Sequence, residues 1–144
     1  MHISTKTEYA VRGLTELAML QDKLPVSIVE ICNRQKLPRK YMEQLFSKLK
    51  RAELITSVQG AQGGYLLQRS PQNITLNEIM LAVEENISQN SCEADYQERE
   101  YCIGMPCGFH KLWNEIETHL EEYFSSINLD DIIKKNNIEN IRRS

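Results

Sequence analysis

Three cysteines and a histidine fall within residues 91–110, SCEADYQEREYCIGMPCGFH, in the order Cys92-x9-Cys102-x4-Cys107-x2-His110. Thiolates and an imidazole are ligands for soft and borderline metals. Three chemistries suit the set. An iron–sulfur cluster needs thiolates converging from a backbone that can wrap around it, and Gly104, Pro106 and Gly108 supply such a backbone. A tetrahedral zinc site also takes three cysteines and one histidine, although structural zinc sites usually show a close C-x2-C pair, absent here. Free thiols without metal would make a redox switch. The fourth cysteine, Cys32, sits in a helix-like stretch and reads as a small packed hydrophobe.

The rest of the chain must hold this segment in place. With 144 residues it suits one domain plus an appendage, and it can bury a core without staples. Its 41% hydrophobic and 26% charged residues indicate a soluble globular protein. Apolar runs such as ELAML are only a few residues long, so neither a membrane span nor a secretory leader is expected. The expected location is the cytoplasm, where thiols are used for metal or redox chemistry rather than for disulfides. Net charge is −3, unevenly spread. Residues 1–70 hold 11 Lys/Arg against 6 Asp/Glu, and residues 71–144 hold 6 against 14. A basic amino-terminal half is what contact with nucleic acid by that half alone requires.

Capping signals and periodicity place the elements. Thr5-x-x-Glu8 reads as a capping box opening a helix that runs to about Gln21, and Ser27-x-x-Glu30 as a second box opening the short helix SIVEICNRQ. Pro38 suits the first turn of a third helix, PRKYMEQLFSKLKRAE. Its packing stripe is Tyr41, Leu45, Leu49 and Ala52, flanked by Met42 and Phe46. Two β-type runs around QGAQGG read as a hairpin. Thr75-x-x-Glu78 caps a fourth helix. The cysteine segment then lacks periodicity, and a loop of that length in a compact domain is usually functional. From Phe109 through Leu112, Trp113, Ile116, Leu120, Tyr123 and Phe124 to Ile127 one wide apolar stripe marks a long helix. A short helix, LDDIIKK, and a fraying polar tail are expected to follow.

Helix, turn, helix and hairpin, in that order, predict a winged helix-turn-helix, a mainly α fold with a small β wing. A helix in the major groove packs one face and hydrogen-bonds with the other. On the outer face of the third helix, Arg39, Lys40, Lys50 and Arg51 can neutralise phosphates. Glu43 would gain only by accepting from a base edge, typically cytosine N4. Gln44 and Ser47 add polar contacts, and Ser27 stands at the start of the preceding helix. In the hairpin tip Gln59, Gln62 and Gly63 would let backbone approach the sugar-phosphate. No nucleophile–base pair, HExxH or phosphate loop is visible, so an enzyme is not expected. A protein-interaction adaptor built on the same scaffold is the remaining rival, and Arg39, Lys40, Glu43 and Gln44 discriminate it.

The segments ISTKTEYAVRGLTELA, YMEQLFSKLKRAELI, SVQGAQGGYLL and ITLNEIMLAVE resemble the iron–sulfur cluster regulator family of winged-helix transcription factors, which includes IscR, NsrR and CymR. The combination YxEQLxxxLxxAxL…GxxGGYxL is specific, and the likeness extends through the long helix. It implies a homodimer through residues 108–127 that binds palindromic double-stranded promoter DNA. It also implies a cluster held by Cys92, Cys102 and Cys107. His110 stands where the cluster regulator has its histidine ligand, and a histidine favours [2Fe–2S] over [4Fe–4S]. Glu8 is the alternative fourth ligand, matching an acidic position of the nitric-oxide regulator. Two features depart from the family: Gln59 stands where arginine is frequent, and the Cys92–Cys102 interval is longer. The expected units are a DNA-binding domain over 1–86, a cysteine loop over 87–107 and a dimerisation helix with tail over 108–144.

Overall fold

The computed structural model describes residues 3–20, 24–85, 104 and 107–143, with side chains as far as 137. Its elements are α1 (Thr5–Leu20), α2 (Ile28–Gln35), α3 (Arg39–Arg51), β1 (Ile55–Val58), β2 (Gly64–Leu67), a 3-10 turn (Pro71–Asn73), α4 (Leu76–Ala82), α5 (Gly108–Ser126) and α6 (Leu129–Arg143). This is the expected winged helix-turn-helix followed by a long helix. No described helix is long and apolar enough to cross a membrane.

The helix starts follow their caps, with one correction. Thr75 and Glu78 form the complete reciprocal box at α4. Ser27 accepts from the Glu30 N–H at 3.2 Å, while the Glu30 carboxylate turns to Arg34 at 3.4 Å, so only half of that box closes. The Thr5–Glu8 box does not form. Ser4 supplies the first accepting carbonyl, to the Glu8 N–H at 3.3 Å, and the Glu8 carboxylate pairs with Arg12 at 3.2 Å. The start of α1 is closed from across the fold instead. Glu85, just beyond α4, accepts from the Ser4 N–H at 3.1 Å, from the Ser4 hydroxyl and from the Thr7 hydroxyl at 2.7 Å.

One core joins all the helices up to α4. Leu14 and Leu17 of α1, Ile31 of α2, and Met42, Leu45, Phe46 and Leu49 of α3 are almost wholly buried, with Leu54, Ile55, Ile74 and Ile79. α1 crosses α3 at Gly13, where an added Cβ would lie 2.8 Å from Met42 Cε and 2.9 Å from the Phe46 ring. Tyr41 is half-buried, edge-on to Tyr9 with centroids 5.8 Å apart. Ala52 is exposed rather than packed, because α3 ends at Arg51 and Ala52 is its C-cap. Cys32 is buried as expected, and burial pushes its thiol up, offset in part by Arg39.

The wing is an antiparallel pair in the register Ile55↔Leu67 to Val58↔Gly64. Val26 adds a bridge to Tyr65, with reciprocal backbone bonds of 3.0 and 2.8 Å. That approach requires glycine at Gly64, since a Cβ there would collide with the Val26 carbonyl. The Tyr65 ring meets Phe46 edge-on at 5.0 Å, which fixes the wing against α3.

After α5 the chain returns to this body. The Leu76 N–H donates to the Ile127 carbonyl at 2.8 Å and the Leu129 N–H to the Ile74 carbonyl at 2.9 Å, and Leu129 is buried in the core. The expected short helix with a frayed tail is one helix to Arg143. Asn128 and Asp131 cap its start reciprocally at 3.0 and 2.9 Å, and no glycine or proline follows to end it.

Candidate nucleic-acid interface and cysteine segment

α3 buries Met42, Leu45, Phe46 and Leu49 and so turns its other side to solvent. Arg39, Lys40, Glu43, Gln44, Ser47, Lys50 and Arg51 are all exposed. The fold therefore brings the seven expected α3 residues onto the open part of one helix. Arg39 Nε meets Glu43 Oε1 at 3.1 Å. Lys50 Nζ reaches Ser57 Oγ on β1 at 2.6 Å, joining helix to wing. Lys40, Glu43, Gln44, Ser47, Lys48 and Arg51 line a shallow groove. Lys48 was not among the expected residues, although the spacing Lys40–Gln44–Lys48 carries the signal for it.

The wing tip holds Gln59 and Gln62, both exposed, and Gly63, half-buried, whose N–H donates to the Gly60 carbonyl at 3.0 Å. Ser27 is half-buried and uses its hydroxyl as the α2 cap. Polar groups also tie α1 to the helix-turn-helix. Arg12 reaches Gln35 Oε1 at 3.3 Å and the Gln35 carbonyl, and Gln35 Nε2 donates to Glu16 at 2.7 Å. Burial, and then the negative charge of Glu43, raise the Tyr65 hydroxyl above the ordinary tyrosine range.

Cys107 and His110 lie at the start of α5. Cys107 is the N-cap, half-buried, and its carbonyl accepts from the Lys111 N–H at 3.1 Å. Its side chain makes no capping bond, and the start of a helix favours an anionic neighbour such as a thiolate. His110 is three residues on, which places the two on one side of the first turn. Asn114 Nδ2 lies 3.0 Å from His110 Nε2. Cys92 and Cys102 fall outside the described residues, and among the described residues no group of three or more metal-ligating side chains comes together. Glu8, the alternative ligand, is engaged with Arg12. The described part of the donor set, a thiol and an imidazole at a helix start, fits an iron–sulfur or zinc centre in chemistry.

The comparisons with known proteins agree with this geometry. The model of the Rrf2 family, described as iron-dependent transcriptional regulators, matches residues 3–135. The chain belongs to the Rrf2 family. It is 34% identical over 139 residues to the HTH-type transcriptional regulator IscR of Sodalis glossinidius, covering 96% of this chain and 82% of that protein. The solved structure of IscR from T. potens superposes with a TM-score of 0.72 at 32% identity, over 94% of this chain and 88% of that one. CymR, the global cysteine regulator of B. subtilis, superposes with a TM-score of 0.74 at 31% identity, over 94% and 98%. As an Rrf2 protein of the IscR type, the chain is a transcriptional regulator with a DNA-binding fold, and not an enzyme.

Proposed function

We propose that this Rrf2 protein is a homodimer that binds palindromic promoter DNA and tunes that binding through an iron–sulfur cluster. The reading divides the chain into a DNA-binding domain over 1–86, a cysteine loop over 87–107 and a dimer helix and tail over 108–144. α3 enters the major groove. Arg39, Lys40, Lys50 and Arg51 meet phosphates, and Glu43, Gln44 and Ser47 meet base edges or backbone. Ser27 and the wing residues Gln59, Gln62 and Gly63 touch the flanking strand. The observation that supports this most is the open face of α3, cationic at both ends with one carboxylate between.

Cys92, Cys102, Cys107 and His110 would hold the cluster, [2Fe–2S] ahead of [4Fe–4S], with Glu8 of the other subunit as the alternative to His110. The group, when bound, supplies sensitivity to oxidants and to cluster supply. This chain's own contribution is position. Cys107 and His110 begin α5, so whatever holds them also sets the orientation of the dimer helix and the spacing of the two α3 helices, on which half-site recognition depends.

Anaerobic purification followed by visible absorption and iron and sulfide analysis tests the reading. Matched iron and sulfide in a brown protein support it. Zinc, or metal-free thiols, would replace the cluster with one of those chemistries. A Cys92→Ala variant with unchanged promoter affinity and site preference would remove the coupling.

A further inference from the structure

We propose that Lys48 and Arg51 form an additional contact site for a DNA backbone phosphate, and that Glu84 occupies it in the free protein as an internal competitor. The inference rests on the reading of α3 as the DNA-facing helix.

Lys48 Nζ donates to Glu84 Oε2 at 2.9 Å, linking α3 to the residue that follows α4. The position of Glu84 is fixed by the way α4 ends. Its N–H bonds the Leu81 carbonyl at 3.1 Å, the Glu85 N–H bonds the Met80 carbonyl at 2.9 Å, and Glu84 has a φ of 59°. This paired closure with a left-handed residue usually takes glycine. Here it holds a carboxylate at the edge of the α3 face. Lys48, and after it Lys6 and Arg51, hold that carboxyl below the ordinary range. Lys48 thus holds an anion at the surface, where the Glu84 side chain is 67% exposed.

An exposed ion pair of this kind adds little to the stability of a fold. The same cations are suited to a phosphate, for which lysine is a common ligand. Lys48 and Arg51 also line the groove that contains Lys40 and Gln44, so the site is continuous with the recognition face. A carboxylate there repels approaching DNA, and a Lys48 ammonium engaged by Glu84 is withheld from phosphate.

The full chain and its Glu84→Gln variant are titrated against a fluorescein-labelled random-sequence DNA duplex over a range of salt. Glu84→Gln should bind about threefold to tenfold more tightly at low salt, and the slope of log affinity against log salt should steepen by about 0.9, one added phosphate contact. Lys48→Ala in the Glu84→Gln background should abolish the gain. Glu84→Gly, which keeps the left-handed turn, should behave as Glu84→Gln does, separating loss of the carboxylate from damage to the turn. Unchanged affinity and slope, or a gain that survives Lys48→Ala, overturns the proposal. Arg39→Glu in the same assay tests the underlying reading by itself. If Arg39→Glu does not weaken binding, α3 is not the DNA-facing helix. If it does and Glu84→Gln changes nothing, only the internal competitor is lost.

Discussion

Arg39 and Glu43, one turn apart on the exposed face of α3, are joined at 3.1 Å in the free protein. In the proposed complex the two have opposite uses, one for phosphate and one for a base edge. Their pairing neutralises both until DNA separates them, so Glu43 is released only where Arg39 finds a better partner. On that reading, sequence recognition and backbone binding are coupled through this contact.

Removing Glu43 should therefore relax sequence preference without weakening overall attraction. Glu43→Ala is expected to lose about 1–3 kcal/mol of discrimination at one base position. Reversing Arg39 and Lys40 should instead weaken every duplex and flatten the salt dependence. Binding measured on a panel of single-base operator variants at two salt concentrations separates the outcomes. Intact, salt-independent binding after reversal would mean that α3 does not carry the interface.

The crossing at Gly13 leaves no room for a side chain against Met42 and Phe46. Gly13→Ala should cost about 1–3 kcal/mol through overpacking. Phe46→Ala, at a fully buried ring that also supports Tyr65, should cost about 3–5 kcal/mol. Chemical denaturation followed by circular dichroism measures both, and a neutral Gly13→Ala would show that α1 can shift away from α3.

Glu85 gives acid sensitivity a definite sign. Burial raises its carboxyl, but the hydrogen bonds from Ser4 and Thr7 outweigh that, and the net shift is downward. A group depressed on folding stabilises the fold above its unfolded value, about 4.3. That contribution is lost as pH falls through the folded value. Glu78 is lowered too, where the Thr75 N–H and Arg69 outweigh its burial. Thermal melts should thus be level near neutrality and decline in acid, and Glu85→Gln should be less stable at neutral pH with a shallower acid decline. An identical acid limb in the variant would remove Glu85 from the account.

Phe109 and Leu112 of α5 are 62% and 53% exposed, with Trp113 stacked on Phe109 at 6.0 Å between centroids. If a second copy covers this face, sedimentation at micromolar concentration gives a dimer for the natural chain and a monomer for Leu112→Glu. A natural chain that sediments as a monomer would refute the dimer helix.

Much of the fold was legible because its signals are local. Ser27, Thr75 and the apolar spacing of α3 are each decided within a few residues. The errors came where a distant group decided the outcome. Thr5 and Glu8 have the spacing of a capping box, but Glu85, far along the chain, takes the start of α1 and frees Glu8 for Arg12. The polar composition of residues 136–144 reads as a tail, whereas α6, capped by Asn128 and Asp131 and anchored on the core by Leu129 and Ile133, continues to Arg143. The open side of α3 followed from helical period alone. The link of Lys48 to Glu84 did not, because residues 36 positions apart in sequence are joined only by folding. Cys92 and Cys102 lie outside the described residues, so only the Cys107 end of that segment is placed.

The two backbone bonds that join Ile127 to Leu76 and Leu129 to Ile74 sit at one end of α5, and Cys107 sits at the other. A helix of 19 residues is about 28 Å long. Taken as a rigid arm about the Ile127 join, it carries a thiol and an imidazole at its far tip. By simple geometry a swing of about 5° displaces that tip by about 2.5 Å over such a length. On that geometry a small displacement at the tip is a small rotation at the join, beside the start of α4.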